Sequence, residues 1–146
     1  MRRAHFPPER NQLAAHLTLF HHLPPSVADE VGRRLAQEAA APPPPATIAA
    51  IMPLGGGTAF RIDSPELAAI RTRLADAFDT LLTPQDAAGW RAHVTIQNKV
   101  SGAAAKALQQ VLATDFAARP IVIAGLAAWW YRGGPWEPLS RHMFRA

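Results

Sequence analysis

The stretch RAHVTIQNK (residues 91–99) repeats a pattern already present in AAHLTLFHH (residues 14–22). Each contains Ala-His-apolar-Thr-apolar, and His16 and His93 stand 77 positions apart. Chance would place His-x-Thr about 0.3 times in a chain with six His and eight Thr among 146 residues, and demanding the two apolar neighbours lowers this to roughly 0.08. Two occurrences are therefore a signal. Alternation of apolar and polar residues predicts a strand around each. Leu17 and Leu19 share one face and His16, Thr18 and Phe20 the other, as do Val94 and Ile96 against His93 and Thr95.

Working outward, residues 26–41 predict a helix, with Ser26 and Asp29 spaced as in a capping box and Val27, Val31 and Leu35 on one face. Pro42 to Pro45 end it and read as a linker. ATIAAIMPL (46–54) predicts a buried strand, Gly55 to Gly57 a turn, and TAFRID (58–63) the returning strand. No Gly-Lys-Ser/Thr follows those glycines, which speaks against a P-loop. Ser64-Pro65 opens a helix whose stripe is Leu67, Ile70, Leu74, Phe78 and Leu81, stopped at Pro84. After the second motif come a helix over 101–116, with Leu108, Val111 and Leu112 inward, and a long apolar strand over 120–131. Gly133-Gly134 turns the chain into a last strand over 135–145.

The halves align. A shift of 77 brings helix 26–41 onto 103–118, and a shift of 78 brings IAAIMPLGG onto LAAWWYRGG. The expected fold is α+β, one bilobal domain over 1–146. Its repeats run over about 9–63 and 64–146, with antiparallel sheet inside, helices outside, and the two motif strands facing a central cleft. By the same symmetry the first lobe lacks the opening strand and helix that precede the second motif. A later start, a strand supplied by another chain, or an open edge would each account for this. An open edge invites pairing, so a homodimer through it is one expectation.

Composition narrows the classes. With 49% hydrophobic residues the chain has ample material for a packed core. The net charge is +4, and apart from Lys99 and Lys106 every basic side chain is Arg, a planar fork suited to phosphate. These arginines are dispersed and form no basic block. Without Cys there are no disulfides, thiolate nucleophiles or Cys-ligated zinc. MRRAHFPPERN has no apolar h-region, and no apolar run reaches the length of a membrane span. The expectation is a cytoplasmic protein with no membrane partner.

The i, i+2 spacing puts His and Thr on one face of a strand. Two such strands facing each other would gather two imidazoles and two hydroxyls. That set suits displacement at a phosphodiester. One histidine takes a proton from the attacking oxygen and the other gives one to the leaving oxygen near neutral pH, while the hydroxyls donate to non-bridging oxygens. Neither a metal nor a cofactor is needed. His21 and His22 do not follow a ligand spacing, and no His-Glu-x-x-His occurs, so both are expected in solvent at the strand end. His5 and His142 have no such context.

The paired His-x-Thr-apolar motifs in a two-lobed α+β chain resemble the 2H phosphoesterase superfamily, which includes 2'-5' RNA ligase-like proteins and cyclic nucleotide phosphodiesterases. FPPERN before the first motif and WWYRGGPWEPL near the end resemble its bacterial 2'-5' RNA ligase branch. The resemblance implies His16 and His93 as the catalytic pair and Thr18 and Thr95 as phosphate ligands. It implies as substrate the 2',3'-cyclic phosphate of an RNA end or nucleotide, opened by water, with 2'-5' ligation as the reverse. The residues leave open which histidine is the base. They also leave open an alternative, a non-catalytic module that grips RNA ends or nucleotides. Aromatic residues near the last hairpin, Tyr131 and Trp136 among them, are candidates for stacking on a base, against a reading as core packing. Arg61 and Arg132 are candidates to neutralise phosphate, against a reading as solvated strand ends.

Overall fold

A computed structural model describes residues 15–130 and 137–145. The chain is α+β. In order it forms α1 (Ala28–Ala39), β1 (Ala46–Leu54), β2 (Gly57–Asp63), α2 (Pro65–Ala77), α3 (Pro84–Ala87), β3 (His93–Gln97), α4 (Gly102–Asp115), β4 (Arg119–Ile121), β5 (Gly125–Trp130) and β6 (Glu137–Met143). Two sheets result, one in the order β3-β2-β1-β4 and one of β5 with β6. Contacts divide the chain into two compact units that interleave along it. Among the described residues the first draws on 15–18, Thr47–Asp63 and Arg91–Ile121, and the second on Leu19–Ala46, Ser64–Trp90, 122–130 and 137–145. Each takes material from both halves of the expected duplication, which stays a proposal about descent.

In the first unit β1 and β2 form the expected hairpin, with Leu54 paired to Gly57. Gly57 belongs to the strand rather than to the turn, because a Cβ there would overlap the Gln97 carbonyl oxygen across the β2–β3 pair. β2 pairs antiparallel with β3, matching Ala59 to Thr95, Phe60 to Val94 and Arg61 to His93. Phe60 and Ile96 are buried, and Phe60 stacks on Phe116, just past α4, with centroids 6.3 Å apart. The Ser101 side chain caps α4 by accepting from the Ala104 N–H. Leu108 faces inward as expected, but Val111 is 69% exposed and lies off the buried stripe.

A β-bulge sits between Thr95 and Gln97. It turns Gln97 toward α4, where the buried Thr58 hydroxyl donates to Gln97 Oε1 at 3.2 Å and accepts from Gln109 Nε2 at 3.2 Å. β4 closes the other end of the sheet with only three residues, Pro120 in the middle, which suits an edge that has no further partner.

In the second unit α1 packs against β5 and β6. Its entry differs from the capping box expected at Ser26. Pro24 and Pro25 set up a 3₁₀ turn over Pro25–Val27, Val27 takes the cap position without a side-chain bond, and Asp29 and Glu30 supply negative charge to the first turn. α2 matches its expected start: Ser64 Oγ accepts from the Leu67 N–H and donates to the Pro45 carbonyl at 2.6 Å. Leu67, Ile70, Leu74 and Phe78 are buried, while the expected last member of the stripe, Leu81, is 38% exposed in a 3₁₀ turn.

The expected continuous strand over 120–131 is two strands in different sheets. Gly125 marks the new start, because a Cβ there would lie 2.6 Å from the His142 carbonyl oxygen of β6. No described helix is long and apolar enough to cross a membrane.

Candidate active site

The two motifs meet in one unit. Among the described residues of the expected first strand, Leu17 forms an antiparallel bridge with Val94 of β3. That bridge decides the register. One step to either side, His16 lies across from Thr95 and Thr18 across from His93. Side chains alternate, so all four project from the face opposite Leu17 and Val94. The histidines then occupy one diagonal of a four-residue lozenge and the threonines the other, with diagonal neighbours about 7–8 Å apart. His16 is exposed, and His93, Thr18 and Thr95 are half-buried.

The ring of His93 is oriented locally. Its Nδ1 lies 2.7 Å from the Arg91 carbonyl oxygen. A carbonyl only accepts, so Nδ1 carries a hydrogen, which leaves Nε2 as the other ring nitrogen. This arrangement can hold an anion between two imidazoles, with two hydroxyls beside it and one imidazole already set with its outer nitrogen as base or acid.

Immediately after Thr18 the chain is fixed by a group the sequence reading passed over. Asp86 in α3 has a side chain 1% exposed. Its carboxylate accepts from the His21 backbone N–H at 2.9 and 3.0 Å, from the His22 N–H at 3.2 Å, and meets His21 Nδ1 at 2.9 Å. Burial pushes this carboxyl up. The hydrogen bonds from His21 and His22 outweigh burial and hold it below the usual aspartate value. Arg71 completes the anchor, donating to the Leu19 carbonyl at 3.3 Å and the Asp86 carbonyl at 2.7 Å, with its guanidinium 4.4 Å over the Phe20 ring. His21 and His22 are exposed as expected, yet their backbone is pinned rather than loose. The signal was present as Thr83-Pro84-x-Asp86, since the Thr83 side chain caps a four-residue helix by accepting from the Asp86 N–H. Along the sequence Pro84 marks only the stop of the preceding helix.

Tyr131, Arg132 and Trp136 lie outside the described residues. Among the described residues no group of three or more His, Asp or Glu side chains gathers as a metal would require.

The fold is α+β, with one His-x-Thr motif on β3 and the segment of the other bridged to it at Leu17. The model of the 2'-5' RNA ligase superfamily matches residues 1–135, and the chain belongs to that superfamily of 2H phosphoesterases. No curated protein and no solved structure matches it.

Proposed function

We propose that this chain is a phosphoesterase that opens the 2',3'-cyclic phosphate of an RNA end or nucleotide. The observation that carries the reading is the Leu17–Val94 bridge, which supports a shared face for His16, Thr18, His93 and Thr95 by strand alternation. Water attacks phosphorus on one side. One imidazole removes its proton while the other protonates the departing ribose oxygen, leaving a phosphomonoester on the neighbouring oxygen. The Thr18 and Thr95 hydroxyls donate to non-bridging oxygens as charge builds there. His93 works through Nε2, given the bond its Nδ1 makes to Arg91. With a 5'-hydroxyl RNA end attacking in place of water, the same site joins two ends in a 2'-5' linkage: the P–O5' bond forms, the P–O3' bond breaks, and the second imidazole protonates the departing 3'-oxygen. Both proton transfers are assigned to side chains, so the reaction is proposed to run without a metal or cofactor. A homodimer through the sheet edge stays part of the proposal. The segment at Leu17, bridged to β3 and outermost among the described residues, is its candidate edge, and sedimentation velocity reporting a monomer at high concentration removes it.

The test is hydrolysis of a nucleoside 2',3'-cyclic phosphate in excess EDTA. Turnover persists under chelation, falls by at least about 10³-fold in His16→Ala and in His93→Ala, and follows a bell-shaped pH profile because one imidazole must be neutral and the other protonated. Loss of turnover on chelation, or its survival in the double variant, defeats the mechanism. Saturable binding without product would instead support the non-catalytic RNA-end or nucleotide-binding module.

A further inference from the structure

The β2–β3 register pairs Arg61 directly with His93, while the bridge at Leu17 puts Thr18 on the other side of the same histidine. Thr18, His93 and Arg61 therefore form one row across three adjacent strands and share a face. The flanking residue of β2, Phe60, is buried on the opposite face against Phe116, which fixes the outward direction of Arg61. Arg61 lies one strand spacing, about 5 Å, beyond His93 and away from His16. It is half exposed, and its one charged neighbour on β2 is Asp63, whose Oδ1 lies 3.4 Å from Nε. That contact engages the inner nitrogen and leaves the two terminal nitrogens of the fork as donors.

We propose that Arg61 is a further substrate-binding residue, one that holds a second phosphate of the substrate next to the phosphate between His16 and His93. This rests on the phosphoesterase reading above and deepens it. On the β2 side of β3, a ligand lying over the histidine diagonal continues across paired sheet. That direction leads over Arg61. A mononucleotide carries one phosphate and gains nothing there. A dinucleotide or longer RNA end carries the next backbone phosphate into reach of the guanidinium. Arg61 thus makes the site selective for RNA ends over free nucleotides. It is a binding residue and takes no part in proton transfer.

Equilibrium binding tests this whether or not the protein turns over. A nucleoside 3'-phosphate and a dinucleotide with a terminal 3'-phosphate are titrated calorimetrically into the full chain and into Arg61→Ala. A charge-assisted contact of ordinary strength predicts a loss of about 10- to 100-fold for the dinucleotide and less than about 3-fold for the mononucleotide. The salt dependence of dinucleotide binding, as log K against log salt, becomes shallower by about 0.7. Arg61→Lys retains part of the preference, and Arg61→Glu loses more than Arg61→Ala. Equal losses on both ligands, or no loss on either, overturns the role of Arg61 while the histidine site stands. Failure of the parent protein to bind either ligand overturns the site reading and this inference with it.

Discussion

Removing the Asp86 carboxylate tests the anchor behind the first motif. In Asp86→Ala, the His21 and His22 backbone N–H groups and His21 Nδ1 all lose an acceptor 2.9–3.2 Å away, inside a site where the carboxylate itself is almost fully buried. A hydrogen bond to a charged acceptor contributes about 1.5–3 kcal/mol, and the three are not additive. His21 and His22 are exposed, so water replaces part of what is lost. The expected destabilisation at pH 7 is about 2–4 kcal/mol, or roughly 10 °C in Tm for a chain of this size.

The pH dependence gives a second, independent reading. The folded Asp86 carboxyl titrates below its ordinary value, so its contribution is complete above the unfolded value of about 3.9 and is lost as pH falls through the depressed folded value. Urea unfolding of parent and variant across pH therefore shows a gap that is constant from about pH 7 to 5 and closes below about pH 4. A gap under about 0.5 kcal/mol at pH 7, or one that widens on acidification, would refute the assignment of Asp86 as a charged, hydrogen-bonded anchor.

Two further substitutions probe the frame around the site. Ser64→Ala removes the cap of α2 and the donor to the Pro45 carbonyl, and is expected to cost about 1–2 kcal/mol in chemical denaturation, with Ser64→Asp recovering the cap but not the donor. Gly57→Ala forces a methyl group into the Gln97 carbonyl and is expected to cost about 3 kcal/mol or more. Faster amide exchange in β3 should accompany it, and unchanged protection from Val94 to Gln97 would show that the β2–β3 pair does not need the glycine.

Much of this protein was legible along the chain because its signals are local. Pro and Gly placed the β1–β2 hairpin, the Ser64 cap placed the start of α2, and the three-to-four spacing of Leu67, Ile70, Leu74 and Phe78 picked its buried face. The motif spacing put each His on the same strand face as its Thr, since alternation is a property of any extended chain.

What local pattern could not decide is which strands pair, and where pairing stops. The apolar run over 120–131 reads as one strand, but it splits between two sheets, because Gly125 lets β5 approach β6 more closely than a side chain would allow. Leu81 and Val111 keep the period of buried positions yet are exposed, since periodicity marks a face without saying whether anything covers it. The role of Asp86 depends on donors brought from the chain after Thr18, 64 and 65 residues away in sequence. The sequence by itself determined the two His-x-Thr pairs and the α+β character. The tertiary structure alone supplied the bridge from Leu17 to Val94 between the two motif segments and the pairing of Arg61 with His93, because register between segments 77 residues apart is set by packing and hydrogen bonding across space.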